Sequence, residues 1–189
     1  MPVLDDIRQL IDTLMPGDEM ERAHLESTRE WARSTDDLFR RDSDEGTPSP
    51  HLVSYFLVLD RTGRILLGDH RKSGLWLPAG GHVEPGEHPV DTVTRECREE
   101  LGIDAQFHPD HGRTPVLLTV TDTVPVDGRS HTDVSLWFVL LAEETDAIEP
   151  DPREYHRVRW WTREEIEGSG KASFDPHQMR AVARLAAIG

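Results

Sequence analysis

One stretch limits the folds open to this chain more than any other. Residues 80–103, GGHVEPGEHPVDTVTRECREELGI, run from a loop punctuated by Gly and Pro into a segment where Val90, Val93, Cys97 and Leu101 recur on one stripe. That period predicts a helix over 90–102, with Gly102 as its C-terminal stop. The flanking segments are β-rich instead. HLVSYFLVL (51–59), the turn DRTG (60–63) and RILLGDH (64–70) read as a hairpin, and further strands are expected at 115–121, 133–141 and 155–161. A helix set among strands must bury its stripe on a sheet. Thr162 with Glu165 three residues on has the form of a capping box, and a last helix is expected from Pro176 to Ile188, with the proline in its first turn. The reading is an α/β fold: a mixed sheet sandwiched between helices, with no internal repeat.

The first 45 residues follow another pattern. Val3, Leu4, Ile7, Leu10, Ile11 and Leu14 lie close to a 3.6-residue period, which predicts an amphipathic helix ended by MPGD. A charge-rich second helix is expected from Asp18 to about Arg40, with a break where Ser34 or Thr35 would act as an internal N-cap. RDSDEGTPSP (41–50) has linker chemistry. The expected division is therefore an acidic helical extension over 1–45 and a main domain over 46–189, the extension serving in packing or in a homodimer contact.

Composition narrows the function. At 189 residues the chain can bury a real core, and with 36% hydrophobic and 30% charged residues it is neither a disordered polyelectrolyte nor a membrane protein. No apolar run reaches the roughly 18 residues of a membrane span, and MPVLDDIRQLIDTLM carries acids where a secretory signal carries bases, so a cytoplasmic location is expected. One cysteine, Cys97, excludes an internal disulfide and a cysteine-based zinc cluster. A net charge of −15 argues against a nucleic-acid polymer as partner, because phosphate backbones are bound by Lys and Arg. If the substrate carries phosphate, cations must intervene.

The acids of 80–103 then become the question. Helical spacing projects Glu96, Glu99 and Glu100 together, where they repel by a few tenths of a kcal/mol per pair and sit at the helix end that disfavours anions. A divalent cation reverses both signs, since carboxylate oxygens on a rigid element suit Mg²⁺ or Mn²⁺. Charged runs such as REEIEG (163–168) are normally solvated helix faces, and Arg95 and Arg98 could partly neutralise this one. The preceding loop tips the balance: Gly80 and Gly81 allow close backbone approach, Pro85-Gly86 makes a second turn, and Glu84 and Glu87 add carboxylates.

The stretch resembles the signature of the Nudix hydrolases, G-x5-E-x7-R-E-U-x-E-E-x-G-U with U apolar. Gly81, Glu87, Arg95-Glu96, Cys97, Glu99-Glu100, Gly102 and Ile103 fill every defined position, Cys97 being the one soft match. A looser likeness extends over about 51–168, through LWLPAGGHVEPGE and RVRWWTREEI. The resemblance implies a Nudix-type α/β/α sandwich with a mixed β-sheet and hydrolysis of a diphosphate linkage in a nucleoside diphosphate derivative or related organic pyrophosphate. It implies Mg²⁺ or Mn²⁺ held by Glu96, Glu99 and Glu100, with Glu96 and Glu100 as principal ligands and Glu99 as ligand or base. Glu87 and Arg95 would brace the loop, and Gly81 and Gly102 would be structural. Family members differ in the general base, so Glu143, Glu144 and Glu154 are further candidates.

Substrate contacts are less legible. Arg64, Arg71 and His131 are candidates, with Arg61 and Lys72 beside them, and ordinary hairpin charges as the alternative. His82, His88, His108 and His111 make no recognised metal-ligand spacing and read as loop residues. Trp76, Trp137, Trp160 and Trp161 read as packing residues, one of which could hold a base. Two rival functions remain: a nucleotide sensor without catalysis, though such proteins often lose box glutamates, and an isopentenyl-diphosphate-isomerase-like enzyme, which would need a reactive cysteine where Cys97 faces the core.

Overall fold

The computed structural model describes residues 2–39, 50–122 and 131–188. Helix α1 spans Pro2–Thr13 and helix α2 spans Glu19–Ser34, the latter begun by Asp18, whose carboxylate accepts from the Glu21 N–H. Ser34 and Thr35 do not start a further helix. Thr35 is the extended residue that ends α2, and its Oγ1 accepts from the Asp37 N–H in a tight turn. Ser and Thr hydroxyls compete with helical bonding wherever the chain can turn, and here the turn delivers Leu38 and Phe39 into the core. The linker expected at 41–50 lies outside the described residues, except for Pro50.

Strands β1 (Pro50–Leu59), β2 (Ile65–His70), β3 (Trp76–Leu77) and β4 (Ala79–His82) lead into α3 (Pro89–Leu101). Strands β5 (Leu117–Asp122), β6 (Thr132–Leu141) and β7 (Tyr155–Trp161) follow, then α4 (Arg163–Gly168) and α5 (Gln178–Ile188). The expected strands and helices are present, and Thr162 and Glu165 form the reciprocal capping box. The last helix starts two residues after Pro176, because the Asp175 carboxylate first holds the His177 N–H in a turn. The seven strands make one mixed sheet in the order β3-β2-β1-β6-β5, with β4 also on β1 and β7 also on β2. Its spine is the parallel pair β1–β6, aligned from Pro50↔Thr132 to Leu59↔Leu141; the other pairs are antiparallel.

Strand alternation sorts the interior into two cores, one per face. Leu52, Phe56, Leu136, Phe138 and Leu118 pack with Val93, Cys97 and Leu101 of α3 and with Leu4, Ile7, Ile11 and Leu25 of α1 and α2. Leu57, Trp137, Val139 and Leu117 face the other way, onto Ile166 of α4 and Ala181 and Val182 of α5. This is the α/β/α sandwich. Burying a Leu or Ile contributes roughly 1.5–3 kcal/mol, so the five apolar residues Leu4, Ile7, Ile11, Leu14 and Leu25 contribute on the order of 10 kcal/mol gross. That is comparable to a whole domain's net stability, so α1 and α2 are part of the fold's support. They also cover a sheet edge: the Leu118 and Val120 N–H groups of β5 donate to Glu21 Oε1 and His24 Nδ1 of α2. No helix among the described residues is long and apolar enough to cross a membrane.

Candidate active site

The loop after β4 is held to α3 by one carboxylate. Glu87 accepts from the Glu84 N–H at 3.1 Å, from Thr92 Oγ1 at 2.8 Å, and from Arg95 Nε and Nη2 at 3.0 Å each. Burial alone would raise the Glu87 pKa, but these donors outweigh it and hold the carboxyl below its ordinary value. Arg95 also donates to the His82 carbonyl at 3.2 Å, to Glu96 Oε1 at 2.7 Å and to Glu99 Oε2 at 3.3 Å. The guanidinium fork thus ties the end of β4, the loop and the helix together. At the other end of α3, Gly102 takes φ 69°, where a side chain would be strained, and its N–H donates to Arg98 O.

Two glycines make room for the acids. A Cβ on Gly80, whose φ is +149°, would come within 2.2 Å of the Ser54 carbonyl on β1. A Cβ on Gly81 would come within 2.0 Å of Glu96 Oε1. The first glycine lets β4 pair tightly with β1, and the second leaves the space that the Glu96 carboxylate occupies. Glu100 lies deeper: its Oε2 accepts from the Gly80 N–H at 2.9 Å and from the Tyr155 hydroxyl at 2.8 Å. Burial pushes its pKa up to about 7 despite those two bonds, with Glu96 and Glu154 adding repulsion. Burial also raises Glu96, against the pull of Arg95. The Glu99 side chain is exposed. The helix therefore carries two carboxylates forced under a strand and one in solvent, and Glu100 has no cationic partner among the described residues.

The other expected site residues separate into two groups. Arg71 donates through its backbone N–H to Glu154 O at 2.8 Å and through Nε to Tyr155 O at 3.1 Å, next to the tyrosine that touches Glu100. Lys72 and His70 contact the Glu154 carboxylate from the same turn. Arg61, Arg64, Glu143 and Glu144 are not brought to the box. They pair with one another and with Asp60 at the β1–β2 turn, beyond Leu59, whereas β4 pairs with β1 at 53–56. His131 meets His51, His82 and Asp133 at the starting ends of β1 and β6. His88 caps α3 by accepting from the Val90 N–H, and His108 stacks on His111. Trp137 is fully buried, donating to Thr119 Oγ1, and Trp161 packs in the same core. Trp160 lies beneath Arg64.

Sequence reasoning missed Tyr155, His51 and the buried Asp175, whose pKa is pushed up to about 6 by burial and by the nearby Asp133. Tyr155 and Asp175 had no local signal. His51 and Asp133 become partners only through the parallel β1–β6 register.

Comparison with known proteins identifies the family and the fold. A family model described as the NUDIX domain matches residues 49–185. CTP pyrophosphohydrolase of Escherichia coli K12 is 46% identical over 52 residues, covering 25% of this chain and 38% of that protein. The mouse asymmetrical bis(5'-nucleosyl)-tetraphosphatase is 57% identical over 30 residues, covering 16% and 20%. The chain thus spans well under half the length of these two relatives. Among solved structures, a MutT protein from Methanosarcina mazei Go1 superimposes with TM-score 0.61 at 18% identity, covering 74% of this chain and 95% of that one. A C. elegans Ap4A hydrolase complex gives 0.53 at 18% identity over 72% and 95%. At these identities the superpositions establish the fold.

Proposed function

The chain belongs to the Nudix hydrolase family, and from that premise we propose that it hydrolyses a diphosphate linkage in a nucleoside diphosphate derivative or a related organic pyrophosphate. The observation that carries the reading is Glu100, a carboxylate under β4 with no cationic partner among the described residues, beside the raised carboxyl of Glu96. Hard oxygen donors under repulsion, on a helix braced by Glu87 and Arg95 and cleared by Gly81, are a donor set that fits Mg²⁺ or Mn²⁺. Glu96 and Glu100 would be the principal ligands, with Glu99 completing the set or serving as base from its exposed position. Such an ion neutralises diphosphate charge and acidifies water, the two requirements of attack on phosphorus. The Gly80 N–H and the Tyr155 hydroxyl orient the Glu100 carboxylate. Arg71 and Lys72 supply positive charge on the neighbouring turn for the phosphate not attacked.

A nucleotide substrate is favoured by the names of the relatives, which include hydrolases of CTP and of bis(5'-nucleosyl) tetraphosphates. The isomerase alternative is disfavoured: Cys97 is wholly buried in the α3 core and burial pushes its thiol up to about 12. The sensor alternative is disfavoured by retention of all three box glutamates. The test is phosphate release from nucleoside triphosphates, dinucleoside polyphosphates, nucleotide sugars and ADP-ribose with Mg²⁺ or Mn²⁺. Turnover of at least one, abolished in Glu100→Gln, is expected; inactivity on every one would favour the sensor.

A further inference from the structure

Another group of ligating side chains lies apart from the box glutamates. His51, His82, His131 and Asp133 each offer one ligand atom, and these four atoms all lie within 4.8 Å of one another. Asp133 Oδ1 is 2.9 Å from His51 Nε2, 3.4 Å from His131 Nε2 and 4.0 Å from His82 Nε2. We propose that these residues form a transition-metal site, fitted to Zn²⁺ and distinct from the box glutamates.

Four observations support it. First, the donor set of three imidazoles and one carboxylate is what Zn²⁺ takes in four-coordination, whereas Mg²⁺ prefers oxygen. Second, bonds of 2.0–2.1 Å in a tetrahedron put ligand atoms roughly 3.4 Å apart, so the observed separations require only small rotations. Third, His51 is 1% exposed, yet neither of its ring nitrogens makes a hydrogen bond among the described residues, and the same holds for the buried Asp133 Oδ1. His51 Nε2 and Asp133 Oδ1 approach to 2.9 Å without hydrogen-bond alignment. Buried polar atoms left so are costly, and a shared cation satisfies both at once. Fourth, the backbone fixes the geometry. His51 and Asp133 are register partners in the parallel pair, and His82 sits on β4 opposite Val53.

The site is on the opposite face of the sheet from α3. Along β1, Leu52 and Phe56 face α3 and Leu57 faces α5; along β6, Val134 and Leu136 face α3 and Trp137 faces α5. Alternation puts His51 and Asp133 on the α5 side, and His82 alternates with Gly81, which abuts Glu96. The two sites nevertheless communicate through His82, whose carbonyl receives Arg95. An ion here would pin three strands at one end and steady the loop that carries Glu87.

The inference does not depend on the proposed hydrolysis, and its test removes the box. The variant Glu96→Gln/Glu99→Gln/Glu100→Gln, freed of metal, is titrated with Co²⁺. One equivalent is expected, with the intense visible absorption of four-coordinate Co²⁺, displaced by one equivalent of Zn²⁺ and unaffected by excess Mg²⁺. Adding His131→Ala or His82→Ala, both at partly exposed positions, should abolish the absorption while the circular dichroism stays unchanged. As a second measurement, Zn²⁺ should raise the melting temperature of the unsubstituted chain. Absence of saturable Co²⁺ and Zn²⁺ uptake in the box-disabled protein overturns the proposal, as does uptake that survives both histidine substitutions.

Discussion

Two acidic regions of this molecule use the same side chain in opposite ways. At the β1–β2 turn Asp60, Glu143 and Glu144 each meet an arginine, Arg64 bridging Asp60 and Glu144 while Arg61 takes Glu143. At the start of α3 Glu87 is likewise answered by Arg95. Four residues past Glu96, the pattern fails: among the described residues the Glu100 carboxylate receives a backbone N–H and a tyrosine hydroxyl and no arginine. Negative charge at the turn is balanced and local. At Glu100 it is left unbalanced under a strand, which a fold tolerates when something else supplies the positive charge.

Removing the unbalanced charge should have the largest effect. Glu100→Gln keeps the size of the side chain and its ability to accept from Gly80 and Tyr155. It is expected to fold and to lose on the order of 10³-fold in kcat, the several kcal/mol that correctly held metal contributes to phosphoryl transfer. Steady-state kinetics on a substrate found in the nucleotide screen would check this.

The next effect is thermodynamic. The folded Glu100 pKa is raised from 4.5 to about 7 by burial, so the folded state keeps a proton that the unfolded chain has lost across that window. Stability from this group is therefore full below pH 4.5 and is lost as pH rises through 7. At about 1.4 kcal/mol per unit the loss is on the order of 3 kcal/mol. Denaturant unfolding of the metal-free protein between pH 4.5 and 8 should show that decline, and Glu100→Gln should lack it.

The paired glycines give a smaller contrast. Gly81→Ala meets only the far end of Glu96, so it should melt close to the parent while losing roughly 10–100-fold in activity as the carboxylate is displaced. Gly80→Ala meets the backbone of β1 at a positive φ and should cost about 1–3 kcal/mol of stability. Equal melting temperatures for the two variants would contradict the separate roles given to them. The smallest effect is expected at the balanced end: Arg64→Gln should leave kcat/KM unchanged, and a marked loss there would return Arg64 to the substrate site.

Much of this was legible before the structure. The stripe Val90, Val93, Cys97 and Leu101 fixes which face of α3 is buried, so it also fixes that Glu96 and Glu100 flank that face. Thr162 and Glu165 are a local device, visible as such. The rest depends on chain topology. Tyr155 reaches Glu100 across 55 residues, and His51 meets Asp133 only because β1 and β6 run parallel. Ser34 and Thr35 carry N-cap chemistry but end a helix, because the same hydroxyls serve turns equally well. The amphipathic α1 announced that it would pack, but not that α2 would cap the β5 edge through Glu21 and His24.

Glu96 and Glu100 are proposed above as the principal ligands of a divalent cation. Calorimetric titration of Mg²⁺ at pH 8 into the unsubstituted chain and into Glu100→Gln tests that proposal most directly. Saturable binding with a rise in melting temperature is expected for the first and a loss of both for the second; equal binding by the two proteins would contradict it.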